Sequence, residues 1–316
     1  MMEPRPAPPL QDVDNQELEN LLSSLPKERG IIPSYSYQYQ EFWFSALTLQ
    51  GIINCQKEFQ PRENDIFLVT SPKSGTTWLK AIIYALVNRE AHPPQDRHHP
   101  LLSKTPHQLV PFLEFLHPSE YVSVCNSSDS SSRIFATHIS LGTLPKAITG
   151  RDIKDTFVSI FHFGNKNSMR TSPISLEDAF DFYCKGISSA GPIWDQILGY
   201  WKESQKNPNK VLFMRYEEMK DEPYLQLRRL ANFLGIPFSP EEENSGLIDQ
   251  IISICSFKSM TKVDVNKTGT VVDGFNNSSF LRKGVVGDWK NCLTADMASR
   301  LDQITEEKFR GSGLSL

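Results

Sequence analysis

Apolar runs alternate with helical periodicity along most of the chain. The segments IFLVT (66–70), RIFATH (133–138) and KVLFMRY (210–216) predict buried strands. After the first of these, apolar residues recur at i, i+3, i+4 and i+7 from Leu79, which predicts a helix over 76–88. This alternation predicts an α/β fold: a single domain with a central, mainly parallel sheet flanked by helices and a P-loop-like strand–loop–helix unit.

Capping signals and periodicity predict further helices. Ser175, followed three residues later by an acid, is typical of a helix N-terminus, and helical periodicity continues through WDQILGYWKES. Pro223 can begin another helix, which Gly235 ends. The proline-rich start precedes a short amphipathic helix, so we expect 1–36 to be a partly disordered N-terminal extension and 37–316 to form the folded domain.

The composition limits the possible functions. The 316 residues are 39% hydrophobic, enough for a substantial core, and the net charge of -4 argues against general binding to nucleic acid or an anionic membrane. The five cysteines lack the spacing of a zinc site or a disulfide framework, so we expect no metal. Since neither a signal sequence nor a long apolar run is recognisable, we expect a cytoplasmic protein.

The stretch TSPKSGTTWLK (70–80) joins the first strand to its helix. A helix N-terminus offers unpaired N–H groups and a positive dipole end, Gly75 permits close backbone approach, and Ser74, Thr76 and Thr77 add hydroxyl donors. The loop therefore predicts an anion site. Its lysine precedes the glycine, whereas the Walker A motif places lysine after its last glycine, so a kinase or NTPase is disfavoured.

A second basic motif, FLRKGVVGDWKN, occupies 280–291. Arg282 and Lys283 can clamp a phosphate, while Gly284 and Gly287 leave room for backbone contact. Adjacent basic residues are often simply solvated, so this motif alone is weak evidence. The anion site predicted in the first loop strengthens its interpretation as a phosphate site.

Taken in order, PKSGTTW and RKGVVGDWKN resemble the two signature regions of the soluble sulfotransferases, and HQLVPFLE resembles their plant branch. The likeness covers most of the chain, through ATH (136–138), KDTFVS (154–159), RYEEMK and SFKSM. It implies an enzyme that transfers the sulfuryl group of 3′-phosphoadenosine 5′-phosphosulfate (PAPS), without a metal, to the hydroxyl of a small acceptor. The implied acceptor classes are flavonoids, steroids, desulfoglucosinolates and hydroxy acids.

The resemblance also implies which residues bind PAPS. The first loop would hold the 5′-phosphosulfate, a basic group would hold the 3′-phosphate, and an aromatic group would surround the adenine. The residues implied for the 5′-phosphosulfate are Lys73, Ser74, Gly75, Thr76 and Thr77. Those implied for the 3′-phosphate are Arg151, Ser159, Arg282, Lys283 and Gly284. Those implied for the adenine are Trp78, Tyr216, Cys255, Ser256 and Phe257.

Three residues are implied to be catalytic: His138, Lys73 and Ser159. His138 would be the general base, because a neutral imidazole with a pKa of roughly 6.5 can accept the proton of a hydroxyl. Lys73 would stabilise the charge that develops on the leaving oxygen. The aromatic residues that follow HQLV either form a wall of the acceptor pocket or belong to the core: Phe112, Phe115 and Tyr121.

The sequence departs from the family pattern just before Arg151. Relatives have a long apolar strand there, whereas this chain runs LPKAITGRDIKDTFVS and is about ten residues shorter, at the place of a central strand. LPKAIT can supply a short strand, although Gly150 weakens its strand propensity and the connection from His138 is short. The alternative explanation of the missing residues is that the sequence derives from an alternatively spliced or misassembled transcript. Smaller departures are Ala136, where many relatives have lysine, and Ser140, where proline is common.

Three functions therefore stay open at the level of sequence. The first is an active PAPS-dependent sulfotransferase. The second is a degenerate member that binds PAPS or an aromatic ligand without efficient turnover, and the third is a P-loop kinase or NTPase. The sequence does not define the acceptor, and we expect a monomer.

Overall fold

The computed structural model describes residues 15–121, 132–139, 146–167, 172–272 and 275–316. Its strands are β1 (Lys27–Arg29), β2 (Tyr35–Tyr39), β3 (Phe42–Phe44), β4 (Ile66–Thr70), β5 (Ile134–Thr137), β6 (Lys146–Gly150), β7 (Val211–Arg215), β8 (Thr270–Val272) and β9 (Phe275–Asn276). Its α-helices are α1 (Asn15–Ser24), α2 (Ala46–Glu58), α3 (Thr76–Val87), α4 (Pro106–Leu109), α5 (Ile153–Lys166), α6 (Leu176–Cys184), α7 (Ile193–Lys206), α8 (Tyr216–Asp221), α9 (Pro223–Phe233), α10 (Pro240–Asn244), α11 (Leu247–Ile254), α12 (Phe257–Met260) and α13 (Ala295–Phe309). Short 3-10 turns lie at Pro100–Leu102, Leu113–Phe115, Asp264–Asn266, Asn277–Ser279 and Asp288–Asn291.

The centre of the molecule is a four-stranded sheet in the order β5-β4-β6-β7, in which every neighbouring pair is parallel. Side chains alternate across the sheet: Phe67 and Val69 of β4 belong to one core cluster, and Leu68 belongs to the other. Helices pack against both clusters. The predicted single-domain α/β fold with a central parallel sheet is therefore confirmed.

A smaller antiparallel sheet, in the order β1-β2-β3, precedes the central one. The predicted domain boundary at residue 36 falls within β2, and Ile31 is fully buried in the same core cluster as Phe67. Residues 1–14 of the predicted extension lie outside the described residues. The division into 1–36 and 37–316 stays a prediction.

The short segment before Arg151 forms a central strand. β6 pairs in parallel with β4 on one side and along its full length with β7 on the other. At the end of the strand, a Cβ on Gly150 would lie 2.8 Å from the ring of Phe213, so only glycine lets this ring pack there without a shift. Pairing on both sides overrides the weak strand propensity. The prediction that LPKAIT supplies a short substitute strand is confirmed for its described residues, 146–149.

The residues that follow β6 begin the next helix at once. The side chain of Asp152 caps α5 by accepting hydrogen bonds from the N–H groups of Lys154 and Asp155. Arg151 therefore stands between the carboxyl end of a central parallel strand and a helix N-terminus. In open α/β sheets, this end of the strands is where ligands bind.

Candidate active site

The loop between β4 and α3 is shaped to hold an anion. Its backbone is left-handed at Lys73 (φ +67°) and at Gly75 (φ +104°). The N–H and the hydroxyl of Ser74 both donate to the carbonyl of Ser71, at 3.1 and 2.7 Å, which closes the turn. Gly75 caps α3 without a side-chain hydrogen bond, so the first N–H groups of the helix are left for a ligand.

An aromatic pocket lies beside this loop. The rings of Trp78 and Tyr216 meet edge to face with centroids 5.4 Å apart, and Phe257 lines the same cavity. A Cβ at position 75 would lie 2.7 Å from the Tyr216 ring, so the close approach and the positive φ both require glycine. These three rings offer apolar surfaces on which a base can stack.

Arg151 connects the two basic motifs that are far apart in sequence. Its guanidinium donates to the carbonyl of Lys73 at 3.1 Å and to the carbonyl of Val285 at 3.2 Å, and lies 4.6 Å from the centroid of the Tyr216 ring. The side chain is buried. The structure thus brings Arg151 together with the first loop and with the second basic motif, despite the shortened segment before it.

The second motif is attached to α5 by a buried carboxylate. Asp155 accepts hydrogen bonds from the N–H groups of Gly287 (2.7 Å) and Trp289 (3.0 Å). Gly284 packs so closely on Phe257 that a Cβ there would lie 2.5 Å from the ring. The loop is therefore fixed between α5 and the aromatic pocket.

The two basic side chains of this motif share one carboxylate. Arg282 and Lys283 both donate to Asp288, the latter at 2.8 Å. Burial alone would raise the pKa of Asp288, but the hydrogen bonds from Lys283 and Arg282 outweigh it and hold the pKa well below its usual range. Both side chains line the cavity. Ser159 lies on α5 in the same wall and is buried.

Lys73 extends into the cavity. Its ammonium lies 3.3 Å from the carbonyl oxygen of Ser279 and 4.1 Å from the centroid of the Phe163 ring. Burial lowers the pKa of Lys73 to about 7, assisted by the positive charges of Arg151, Arg282 and Lys166. A lysine in this state takes up a proton when an anion binds beside it.

His138 follows β5 and faces the same cavity. Its Nδ1 lies 2.7 Å from the carbonyl oxygen of Thr70, which can only accept, so Nδ1 carries the proton and Nε2 is the free base. Burial, together with the charges of Lys80 and Lys73, lowers the pKa of His138 to about 4, although the bond to Thr70 opposes the shift. The imidazole is therefore neutral and able to accept a proton at pH 7.

The cavity beyond His138 is mainly apolar. It is lined by apolar side chains from several elements that meet there: Ile32, Phe44, Leu47, Phe112, Phe115, Phe163, Phe275 and Phe280. The anion-binding loop and the basic side chains of Arg151, Arg282 and Lys283 line the same cleft, so the base and the anion-binding groups face one common space.

Some predicted residues lie elsewhere. Cys255 is fully buried in the core, and Ser256 caps α12 through the N–H of Ser259, so of this segment only Phe257 lines the cavity. Phe112 and Phe115 also line it, whereas Tyr121 is fully buried with its hydroxyl on the carbonyl of Leu113. Ser140 lies outside the described residues.

The sequence did not single out several residues that surround the site. Asp155 lies in the first turn of α5, four residues after Arg151, with which it forms an ion pair at 3.7 Å; this spacing of opposite charges could have suggested its role. His107 gave no such signal: its Nε2 lies 3.1 Å from the hydroxyl of Thr77, and its ring stacks near Phe112 and Phe280. Among the residues that the structure describes, no group of His, Cys, Asp and Glu could hold a metal ion.

Comparison with known proteins agrees with this geometry. The family model described as "Sulfotransferase domain" matches residues 63–313. Cytosolic sulfotransferase 6 of Arabidopsis thaliana is 44% identical over 317 residues, covering 95% of each chain, and cytosolic sulfotransferase 12 of the same plant is 44% identical over 310 residues, covering 95% of this chain and 94% of its own.

Solved structures give the same result. A crystal structure of a putative steroid sulphotransferase from Arabidopsis thaliana superposes with a TM-score of 0.74 at 39% identity, covering 98% of this chain and 99% of that one. A mouse sulfotransferase complexed with PAP, the desulfated form of PAPS, superposes with a TM-score of 0.69 at 27% identity, covering 88% of this chain and 95% of that one. The chain belongs to the sulfotransferase family, and its reaction is the transfer of a sulfuryl group from PAPS. In the described part of the chain, no helix is long and apolar enough to cross a membrane.

Proposed function

We propose that this chain transfers the sulfuryl group of PAPS to the hydroxyl of a small, mainly apolar acceptor in the cytoplasm, with His138 as general base and Lys73 at the leaving oxygen. The observation that carries the proposal is the free Nε2 of His138 in the cavity that the anion-binding loop also lines. The names of the plant relatives support the cytoplasmic location. The proposed active form is a monomer.

The nucleotide is proposed to lie along the basic and aromatic wall. The N–H groups at the start of α3 hold the 5′-phosphosulfate, while Arg151, Ser159, Arg282 and Lys283 surround the 3′-phosphate. Trp78 and Tyr216 flank the adenine. The mouse relative was solved in complex with PAP, which supports a nucleotide of this kind as the ligand.

In the proposed reaction, Nε2 of His138 takes the proton from the acceptor hydroxyl while the acceptor oxygen forms a bond to sulfur. The bond between sulfur and the bridging oxygen breaks, and PAP leaves with the electron pair. Lys73 and the N-terminus of α3 stabilise the charge on that oxygen, so the chain contributes positioning and electrostatics.

The acceptor half of the cavity supports an apolar substrate. Phe112, Phe115 and Phe280 line it, and the hydroxyls of Ser45 and Thr48 are among its few polar groups. Burying the carboxylate of a hydroxy acid or the sugar hydroxyls of a desulfoglucosinolate there without hydrogen-bond partners is costly. The proposal therefore favours phenolic or steroid hydroxyls over hydroxy acids and desulfoglucosinolates.

Turnover tests the proposal. The purified chain is incubated with PAPS and a panel of phenols, steroids, hydroxy acids and desulfoglucosinolates, and PAP and sulfated product are both measured. The expected result is equal formation of PAP and product with apolar acceptors. Binding of PAP without turnover on any of them would favour the degenerate alternative.

A protonation change is expected when the nucleotide binds. Because the pKa of free Lys73 is lowered to about 7, the lysine is mostly neutral at about pH 8 and takes up a proton beside the anion. Calorimetry of PAP binding in two buffers of different ionisation enthalpy measures this uptake. We expect close to one proton for the wild type and close to none for Lys73→Met; equal values for the two proteins would contradict the assignment.

A further inference from the structure

His138 lies one residue beyond the paired part of its strand. The parallel register between β4 and β5 ends with Val69 opposite Thr137, so no ladder hydrogen bond fixes the main chain of His138. A residue in that position is free to shift unless other groups hold its N–H and carbonyl. The positions of these two groups determine where the imidazole points.

Two buried side chains take the place of ladder partners. The N–H of His138 donates to Oε1 of Glu114 at 2.8 Å, and the carbonyl of His138 accepts from Nε2 of Gln196 at 2.9 Å. Glu114 is 1% and Gln196 is 2% exposed. The bond from Nδ1 to the carbonyl of Thr70 is the third contact. Glu114, Gln196 and Thr70, which belong to three different elements, therefore together hold His138.

The orientation of Gln196 is determined by its surroundings. Its Oε1 accepts from the hydroxyl of Ser71 at 2.6 Å, which leaves Nε2 to face the carbonyl of His138. The opposite amide orientation would place two acceptors against each other. One helical turn later, the hydroxyl of Tyr200 donates to the carbonyl of Ile139 at 2.8 Å. Helix α7 therefore binds the main-chain carbonyls of both residues that follow β5, His138 and Ile139.

The backbone of Glu114 is equally constrained. A Cβ on Gly51 of α2 would lie 1.7 Å from the Glu114 carbonyl oxygen, so only glycine permits this packing. On the other side, the N–H of Ala136 donates to the carbonyl of Pro111 at 2.8 Å, which attaches the segment to β5. The carboxylate is thus fixed between a helix and the edge of the sheet.

We infer that Gln196 and Glu114 are positioning residues that hold the main chain of His138 and so aim its Nε2 at the acceptor hydroxyl, an inference that rests on the proposed role of His138. Neither residue lines the cavity. A displacement of about 1 Å in a catalytic group can cost on the order of 100-fold in rate. Their removal should therefore affect kcat rather than the binding of PAPS.

The experiment compares Gln196→Leu with Gln226→Leu. Gln226 is also a buried glutamine, but its side chain accepts from Arg229 and does not line the cavity. We expect Gln196→Leu to lower kcat by about 10- to 100-fold, with the KM for PAPS and the thermal shift by PAP within about twofold of the wild type. Gln226→Leu should leave both kinetic constants unchanged. A wild-type kcat in folded Gln196→Leu, or an equal loss in both variants, would overturn the inference.

A pair of substitutions at Glu114 gives an independent test should the glutamine variant fail to fold. Glu114→Gln keeps an oxygen that accepts from the N–H of His138, whereas Glu114→Leu does not. We expect substantial kcat in the first and a loss in the second, with PAP binding retained in both. Similar kcat values in the two variants would overturn the inference. Full activity of His138→Asn would instead show that His138 is not the base. Failure of the proposed function and failure of the inference on Gln196 and Glu114 are therefore distinguishable.

Discussion

Replacement of His138 by asparagine is expected to lower kcat about 1,000-fold, within the range for loss of a general base. Asparagine can still donate to the carbonyl of Thr70, as Nδ1 of the imidazole does, but it offers no basic nitrogen to the acceptor hydroxyl. The KM for PAPS and the thermal shift by PAP should change by no more than about twofold, because the base contacts the acceptor and not the nucleotide. Steady-state kinetics with saturating PAPS measure the effect.

The matched control is His99→Asn. His99 is 1% exposed and lies outside the cavity, where Nδ1 accepts from the N–H of Leu101. Its replacement should affect stability but not kcat. If His138→Asn keeps more than about a tenth of the wild-type kcat, proton removal by His138 is not important for the rate.

The pH profile provides a second readout for the same residue. Burial lowers the pKa of His138 from 6.5 to about 4, so the imidazole stays neutral as the pH falls from 7 towards 5. The loss of kcat/KM that is due to protonation of the base should therefore centre near pH 4 rather than near 6.5, provided that the protein stays folded. A centre near 6.5 would show that the base is exposed to water in the working enzyme.

Replacement of Arg151 by leucine is expected to raise the KM for PAPS about 100-fold. Hydrogen bonds to charged groups contribute about 1.5–3 kcal/mol each, and about 2.7 kcal/mol corresponds to that factor. The effect should depend on the 3′-phosphate: binding of PAP should weaken strongly, while the weak binding of ADP should barely change. Arg151→Lys keeps the positive charge but loses the planar guanidinium, which can donate two parallel hydrogen bonds to a phosphate. The KM of this variant for PAPS should therefore lie between those of the wild type and the leucine variant.

Arg89→Leu is the matched control for Arg151. Arg89 is nearly as buried as Arg151, 8% against 6% exposed, but it pairs with Glu242, and neither of these two residues lines the cavity. Both leucine variants should be destabilised, because each leaves polar partners without a donor. Only Arg151→Leu should lose the preference for PAP over ADP; loss of that preference in both variants would indicate a general effect on folding.

The first loop shows how much the local sequence contains. The order of glycine and hydroxyl residues directly after a buried strand predicted an anion site at a helix N-terminus, and the structure has the left-handed turn at Gly75 that such a site needs. The strands β4, β5 and β7 were likewise recognisable, because their apolar runs are bounded by turn residues.

β6 shows where local reasoning is insufficient. KAITG has a short and weakly apolar pattern, and its identity as a central strand depends on ladder partners on both sides that lie far away in sequence. The resemblance to the family revealed the missing length, and the sequence offered LPKAIT as a substitute strand only beside the alternative of an altered transcript. Only the assembled sheet shows that five residues are enough to place Arg151 beside Lys73.

The residues around His138 were missed for a similar reason. Ser71 and Gln196 are 125 positions apart and His138 and Glu114 are 24 apart, so no periodicity or spacing links them. Each is an ordinary polar residue within an otherwise apolar segment. Hydrogen bonds between distant segments are specified by the packing of the whole fold, which local patterns do not contain.

The shortened chain is expected to assemble a working pocket for the 3′-phosphoadenosine nucleotide. Thermal unfolding with PAP, with ADP and without nucleotide measures this, because a ligand at about 100 times its Kd stabilises the folded state by about 2.7 kcal/mol. We predict a clear rise in Tm with PAP and little change with ADP at the same concentration. A cooperative transition that PAP and ADP shift equally, or that neither shifts, would show that the pocket does not form.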